Sequence, residues 1–256
     1  MTVEFAKTAA DYGGHRAGFP SSLFDRLAAF GVGRAGQDVV DVGTGTGTLA
    51  RGFARRGCRV VGIDPAPEML AQARQLDAQE GADVEYRVAT AEATGLATAS
   101  CDAFSAGQCW HWFDRPSAAA EARRLLRPGG AIVICHFDWL PLPGSVAQAT
   151  ESLILRHNPD WPGAGGSGMY PQWAADVAGA AFTGTETFSY DVEVAYTHEA
   201  WRGRIRASAG VAASLPNEAV ADFDAEHATV LAQRFPGDSL TVPHRVWALV
   251  ASSPRD

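Results

Sequence analysis

The stretch VVDVGTGTGTL, residues 39–49, joins an apolar, β-branched run to a cluster of glycines and the start of a helical pattern. Glycines in such a turn let the backbone approach a ligand closely, and the free N–H groups of the following helix favour an anionic group. A P-loop would need a lysine after its last glycine, and none is present. A dinucleotide fold would need a third glycine where Thr48 stands. The spacing therefore favours an adenosyl ligand without a pyrophosphate.

Two acidic residues accompany this turn. Asp41 precedes the first glycine, where a carboxylate would face an ammonium group of the ligand. Asp64 ends the next apolar run and is followed by Pro65. An acid at a strand end beside the glycine turn is well placed to bind both ribose hydroxyls. A simpler alternative for Asp64 is a helix cap before the proline.

Short apolar runs alternate with helical patterns, which is typical of a parallel sheet with crossover helices. Strands are predicted near 37–42, 58–63, 84–88, 102–106, 131–137, 185–195 and 240–250. Helices are predicted from a cap at Ser21 or Ser22 to Gly31, after Pro65, from Asp114 or Ser117 to about 126, and near 144–156. The region 198–235 is also predicted to be helical, with Pro216 opening a helix. We predict an α/β fold, a Rossmann-like seven-stranded, mostly parallel sheet flanked by helices, with helical cap insertions.

The composition excludes several classes of protein. The chain has 256 residues, 46% of them hydrophobic, and a net charge of −8. A chain of this length can bury a full hydrophobic core without needing disulfide bonds or metal ions for stability. Lys7 is its only lysine, so nucleic acid is not expected as a partner. The four cysteines lack C-x-x-C spacing, the N-terminal residues lack an apolar stretch, and no apolar run reaches about 20 residues. We expect a cytoplasmic monomer or homodimer with no membrane partner and no metal.

Three motifs together resemble one family. The pattern D-x-G-x-G-x-G at 41–47 is followed by Ala-Glu at 91–92 and by L-R-P-G-G at 126–130. Over about residues 36–137 the chain resembles the class I S-adenosylmethionine-dependent methyltransferases. The run GQCWHWFD at 107–114 is similar to the small-molecule branch that includes trans-aconitate methyltransferase-like proteins.

The resemblance implies S-adenosyl-L-methionine as cofactor and S-adenosyl-L-homocysteine as product. The cofactor-binding residues that it implies are Arg16, Asp41, Gly43, Thr44, Gly45, Gly47, Asp64, Pro65, Met69, Thr90, Ala91, Glu92 and Gln108. Among them, Met69 would flank the adenine and Ala91 would reach its edge. Thr90 stands where many relatives have an aspartate, which leaves Glu92 as a candidate for that contact.

The predicted domain organisation follows from these motifs. It is a single domain over 1–256, with a helical extension over the site at 1–35, a cofactor-binding core at 36–137, cap or substrate insertions at 138–181 and 197–236, and final strands at 182–196 and 238–251. Such long irregular segments often form lids or binding loops.

Methyl transfer needs an aligned nucleophile, and a base where the accepting atom must lose a proton. His111 is the first candidate base, because it follows the fourth strand at the carboxyl edge of the sheet. A packing or capping histidine is the alternative. Tyr12 is a weaker candidate for orienting the substrate. The candidate substrate-binding residues are Trp110, Trp112, His136, Tyr170 and Trp173.

We therefore expect a methyltransferase that acts on an O, N or C atom of a small molecule, such as an organic acid or an aromatic or heteroaromatic metabolite. Two alternatives stay open at this point. One is an NAD-dependent oxidoreductase, and the other is a cofactor-binding scaffold without catalysis.

Overall fold

The computed structural model describes residues 18–212 and 214–255, which form two compact units. The described part of the larger unit consists of Gly18–Phe137, Tyr170–Ser189 and residues 246–255. The described part of the smaller unit consists of Asp138–Met169 and residues 190–212 and 214–245. We describe each unit by itself.

Seven strands form one sheet in the order β3-β2-β1-β4-β5-β7-β6. Their bounds are β1 Asp38–Val42, β2 Arg59–Asp64, β3 Glu85–Val88, β4 Cys101–Gly107, β5 Leu126–Trp139, β6 Thr183–Tyr196 and β7 Leu240–Ser252. The pairs β1–β2, β1–β4, β2–β3 and β4–β5 are parallel. This arrangement confirms the predicted seven-stranded, mostly parallel sheet.

Eight helices are present among the described residues. They are α1 Ser21–Ala29, α2 Thr48–Ala54, α3 Pro67–Glu80, α4 Arg115–Leu125, α5 Val146–His157, α6 Ala174–Gly179, α7 His198–Arg206 and α8 Asn217–Arg234, with single 3₁₀ turns at Trp110–Trp112 and Pro171–Trp173.

The register of the parallel strands positions the glycine turn. Val42, the last residue of β1, pairs with Ile63 on β2 and with Ala106 on β4. The carboxyl ends of these three strands therefore meet at one edge of the sheet. This is the edge at which open α/β sheets bind ligands.

The core of the larger unit explains why the sequences of its strands are continuous runs of apolar residues. Val40, Val42, Phe104, Ile132 and Trp247 belong to one buried cluster. Parallel strands with both faces covered need apolar side chains at successive positions rather than at alternate ones.

The smaller unit has its own core, built from helical faces. Phe223, His227 and Leu231 lie on one face of α8 at a spacing of four residues, and all three are fully buried. Trp201 of α7 and Ile154 of α5 belong to the same unit's apolar cluster.

Three details differ from the sequence prediction. Helix α1 begins after Pro20 and has no side-chain cap, so the predicted serine cap is wrong. Strand β5 begins five residues early, because Leu126 already pairs with Cys101 of β4. The region 198–235, predicted to be helical, forms α7 and α8 with a break over 207–216, and α8 begins directly after Pro216, where a helix was predicted to open.

No helix among the described residues is long and apolar enough to cross a membrane. In the same part of the chain, no group of three His, Cys, Asp or Glu side chains is placed to hold a metal ion.

Candidate active site

The turn between β1 and α2 is built from three glycines in the left-handed region. Gly43, Gly45 and Gly47 have φ of 57°, 55° and 79°, which other residues adopt only at a cost. A Cβ atom on Gly43 would lie 2.8 Å from Cys109 Sγ, and one on Gly47 would lie 2.2 Å from the Tyr86 hydroxyl. Packing within the protein therefore already requires glycine at both positions.

Gly45 is different because its surroundings are open. The nearest atom to a Cβ there would be the Met69 methyl carbon Cε at 3.4 Å, an ordinary contact. The amide of Gly45 donates to Asp64 Oδ2 over 2.9 Å, which fixes the middle of the turn to the end of β2.

The Asp64 carboxylate is held by two backbone amides. Besides Gly45, the amide of Ala66 donates to its Oδ1 over 2.9 Å. The cap residue of α3 is Ala66, with no side-chain hydrogen bond, so Asp64 is not the helix cap that the alternative reading suggested. Burial raises the pKa of Asp64, against the two amide hydrogen bonds. Each carboxylate oxygen keeps a lone pair for a further donor.

Asp41 is a buried carboxylate with neutral partners. It is 1% exposed. Its two oxygens accept hydrogen bonds from the hydroxyls of Thr44, over 2.6 Å, and Ser105, over 2.7 Å, and the amide of Ala50 in the first turn of α2 also donates to it. Burial raises the pKa of Asp41 to about 6, and the nearby Asp64 charge adds to this shift. Among the described residues, no basic side chain forms an ion pair with it.

A buried ion pair holds the helix that follows the turn. Arg51 of α2 pairs with Asp77 of α3, and its Nη2 donates to the carbonyl of Thr46 over 3.0 Å. Neither this pair nor the contact of Ser105 with Asp41 was predicted from the sequence. Nothing in the local sequence indicates them, since their partners lie 26 and 64 positions away.

The remaining predicted cofactor residues differ in burial. Met69 and Ala91 are buried, whereas Pro65 and Thr90 are exposed. The half-buried Glu92 accepts a hydrogen bond from the amide of Asp114, the cap residue of α4, over 3.0 Å. Its carboxylate is therefore already engaged in a hydrogen bond at the start of that helix.

The loop after β4 is tied to β5 by Gln108. This residue has a left-handed φ of 60°, which is uncommon outside glycine. Its backbone N–H donates to the carbonyl of Cys135 over 2.8 Å, and its side-chain Nε2 donates to the carbonyl of Phe137 over 2.7 Å. These two bonds fix where the following turn, Trp110–Trp112, begins.

An aromatic cluster follows this turn, and we call it the histidine cluster: His111, Trp112, His136, Tyr170 and Trp173. The His111 ring lies 4.6 Å from Trp112 and 5.7 Å from His136. Tyr170 stacks on Trp173 at 4.2 Å with an interplanar angle of 7°, and both rings contact His136. His111 and Trp112 are exposed, and Tyr170 is half-buried.

The structure changes the prediction for Trp110. This residue is fully buried, and its Nε1 donates to Asp176 over 2.9 Å. Its indole packs in the core of the larger unit, as do the buried His136 and Trp173, and its part in a substrate site stays a prediction. Tyr12 and Arg16 lie outside the described residues.

Comparisons with known proteins identify the family. Residues 40–134 match the family described as a methyltransferase domain. An uncharacterised methyltransferase of Mycobacterium bovis is 36% identical over 132 residues, 52% of this chain and 51% of the relative, so this chain spans about half of that relative's length. A ubiquinone biosynthesis O-methyltransferase of Xanthomonas axonopodis pv. citri is 30% identical over 178 residues, 68% of this chain and 72% of the relative. The chain belongs to the class I S-adenosylmethionine-dependent methyltransferases.

The fold of this methyltransferase agrees with that assignment. It is similar to the structure of a proposed type II methyltransferase from Anaeromyxobacter dehalogenans, with a TM-score of 0.66, 25% identity and coverage of 94% of this chain and 98% of the other. The predicted family is confirmed, and S-adenosylmethionine is the cofactor of that family. The alternative of an NAD-dependent oxidoreductase is excluded by the family.

The residues of the turn fit this cofactor. The buried Asp41 carboxylate has three neutral donors and no cationic partner among the described residues, which suits an ammonium group. Asp64 has free lone pairs at the end of β2, and Gly45 leaves open space in front of Met69.

Proposed function

We propose that this methyltransferase transfers a methyl group to a hydroxyl oxygen of a small aromatic acceptor. When bound, S-adenosylmethionine supplies the methyl group. The choice of oxygen is supported by the relative named as an O-methyltransferase of ubiquinone biosynthesis. The proposed placement in the trans-aconitate-like branch and the cap role of 138–181 and 197–236 stay predictions.

The histidine cluster is the observation that carries this proposal. It lies in the larger unit, after the carboxyl end of β4 and along β5, and presents one exposed imidazole beside aromatic faces. Aromatic side chains offer stacking surfaces for a planar acceptor, and an imidazole is the side chain best suited to accept a proton near neutral pH.

Within the cofactor site we propose two principal contacts. Asp64 accepts hydrogen bonds from the ribose hydroxyls, and Asp41 faces the ammonium group. The buried position of both carboxylates supports these roles, because charge-assisted hydrogen bonds gain strength where water is excluded.

Asp64→Asn is expected to raise the dissociation constant of S-adenosylhomocysteine about tenfold, or about 1.4 kcal/mol, because the amide cannot accept at both positions. Isothermal titration calorimetry measures this change. Asp25→Asn is the control, since Asp25 is 70% exposed at its side chain. An unchanged affinity for Asp64→Asn would remove this residue from the ribose contact.

His111 is proposed to accept the acceptor's hydroxyl proton while the oxygen gains the methyl group. A neutral phenol is a weak nucleophile, so removal of its proton during transfer lowers the barrier. The exposed position of His111 leaves its ring accessible to an acceptor.

His111→Gln is expected to lower kcat about 100-fold with little change in cofactor affinity, because glutamine cannot take the proton. Steady-state kinetics measure kcat, and titration with S-adenosylhomocysteine measures the cofactor affinity. His157→Gln is the matched control, because His157 pairs with Glu226 in the smaller unit. An unchanged kcat in His111→Gln would mean that alignment alone accounts for the rate.

The proposed function itself is tested with methyl-labelled S-adenosylmethionine and a panel of phenols and catechols, each paired with the aniline of the same ring. We expect labelled methyl ethers. Label found on nitrogen would contradict the oxygen assignment. Tight binding of S-adenosylhomocysteine without transfer to any acceptor would instead favour a cofactor-binding scaffold without catalysis.

A further inference from the structure

Three residues other than glycine adopt a left-handed backbone conformation in the part of the chain that the structure describes. They are Ala99, Gln108 and Ala181, with φ of 52°, 60° and 60°. The two alanines are exposed and stand in turns that lead into strands. Gln108 is half-buried and instead leaves β4 at the carboxyl edge of the sheet, where the glycine turn also lies. Such a conformation persists only where its surroundings hold it, and it is common at functional sites.

Gln108 is held on β5 through both its backbone and its side chain. Its backbone N–H donates to the carbonyl of Cys135, and its Nε2 donates to the carbonyl of Phe137. These two carbonyls belong to the residues on either side of His136. Gln108 therefore joins the first residue after β4 to the segment of β5 that carries His136.

The two residues that follow Gln108 leave the loop little freedom. Cys109 Sγ donates to the carbonyl of Val42 at the end of β1 over 3.2 Å, and Trp110 is fully buried. His111 is the first exposed side chain after Gln108. Its position therefore depends on how the chain leaves β4, and the two hydrogen bonds of Gln108 set that direction.

The position of the His111 ring is defined by its aromatic neighbours. Its centroid lies 4.6 Å from Trp112 and 5.7 Å from His136, which is buried on β5. Because Gln108 binds β5 on both sides of His136, the bonds that fix the loop against β5 also fix the distance between the two imidazoles.

We propose that Gln108 is a positioning residue, whose hydrogen bond to the Phe137 carbonyl holds the His111 imidazole in the place that it needs as proton acceptor. This inference rests on the proposed function. A base must lie within hydrogen-bond reach of the proton that it takes, so a displaced loop slows transfer without removing a reacting group. The role differs from the cofactor contact that the resemblance implies for Gln108, because it acts through His111 and leaves cofactor affinity unchanged.

Two variants remove the side-chain bond in different ways. Gln108→Glu keeps the size of the side chain, but an ionised carboxylate only accepts and cannot donate to the Phe137 carbonyl. Gln108→Asn keeps the amide and tolerates a left-handed φ, but it is one methylene group too short to make the same bond. Gln37→Glu is the matched control. Gln37 is also half-buried, and its Nε2 donates to the carbonyl of Gly31 over 2.9 Å, before the start of β1.

A measurement without turnover follows the His111 ring itself. The chain has seven histidines, so proton–carbon correlation NMR can separate their Cε1–Hε1 signals, and the signal that His111→Gln removes belongs to His111. The rings of Trp112 and His136 shift this signal. With S-adenosylhomocysteine bound, we expect both Gln108 variants to move it toward that of an exposed histidine, and Gln37→Glu to leave it in place. An unmoved signal in both variants overturns the proposal.

Steady-state kinetics then test whether this position matters for methyl transfer. With the phenol of the acceptor panel that reacts fastest, both Gln108 variants should lower kcat about tenfold and leave the dissociation constant of S-adenosylhomocysteine unchanged. Gln108→Glu combined with His111→Gln should lower kcat no further than His111→Gln alone, because Gln108 acts through that ring. Additive losses would indicate a purely structural role, and weaker binding of S-adenosylhomocysteine would assign Gln108 to the cofactor. Either result overturns the proposal.

The two measurements separate this proposal from the proposed function. A moved His111 signal with no methyl transfer to any phenol, or with an unchanged kcat, would sustain the position held by Gln108 and contradict His111 as the base. An unmoved signal together with a lowered kcat in His111→Gln would sustain the base and overturn the role of Gln108.

Discussion

Gly47→Ala is expected to lower the free energy of unfolding by about 4 kcal/mol. Gly47 has φ of 79°, and a side chain in this left-handed region costs about 1–2 kcal/mol. The added Cβ would also lie 2.2 Å from the Tyr86 hydroxyl, and forcing an extra methyl group into a filled space costs about 1–3 kcal/mol. Strain and overpacking act at the same atom, which makes this one of the least replaceable positions of the turn.

Gly81→Ala separates the two causes. Gly81 at the end of α3 has φ of 66°, and nothing lies within 4 Å of a Cβ built there. This control should lose only about 1–2 kcal/mol, the cost of the backbone conformation. Adding Tyr86→Phe to Gly47→Ala removes the oxygen in conflict and should restore part of the steric loss.

Urea unfolding at constant m-value measures each of these variants. Equal losses for Gly47→Ala and Gly81→Ala would show that Tyr86 moves aside at no cost. The Gly47 variant should also bind S-adenosylhomocysteine poorly, because the Gly47 amide donates to the carbonyl of Thr44 and holds the turn in shape.

The sheet and the glycine turn could be predicted because their signals are local. Fully buried parallel strands leave continuous apolar runs, and β1 of the structure covers the predicted 37–42 within one residue. The positions of Asp41 and Asp64 could be predicted as well, because the carboxyl ends of neighbouring parallel strands meet at one edge.

Features that depend on distant partners could not be predicted in this way. The early start of β5 depends on Cys101, and the bracing of α2 depends on Asp77. The pattern Trp-His-Trp at 110–112 does not indicate which ring faces the core, and the hydrogen bond to Asp176 decides it for Trp110.

Asp41→Asn is expected to stabilise the ligand-free protein at pH 7 by about 3 kcal/mol, the cost of keeping a buried carboxylate charged. Burial raises the pKa of Asp41 to about 6 from an ordinary value of 3.8. A difference of one pKa unit corresponds to about 1.4 kcal/mol. Asparagine occupies the same volume, and the hydroxyls of Thr44 and Ser105 can rotate to accept from its amide group as well as donate.

The sign of the pH dependence follows from proton binding. Between pH 3.8 and about 6 the folded protein binds more protons at Asp41 than the unfolded chain does, so stability falls as pH rises through this window and stays lower above it. The advantage of Asp41→Asn should therefore be near zero at pH 4 and reach its full value above pH 6.

Asp38→Asn, at the other end of β1, provides a control of opposite sign. The hydrogen bond from Arg59 lowers the pKa of Asp38, so this carboxylate contributes stability above its ordinary pKa that is lost as pH falls through its lowered value. Urea unfolding at pH 4, 5, 6 and 7 compares both variants with the unaltered protein. A constant advantage of Asp41→Asn across these pH values would mean that Asp41 is not protonated in the folded state near pH 5.

The same substitution should weaken S-adenosylhomocysteine binding at pH 7, because the proposed ammonium contact loses its charged partner. Substitution of this one residue would then raise stability and lower affinity. This is expected for a buried charge that contributes to ligand binding and not to the stability of the fold. If Asp41→Asn stabilises the protein and leaves affinity intact, the ammonium contact belongs to another group. If it destabilises the protein at pH 7, the three donors around Asp41 already compensate its burial.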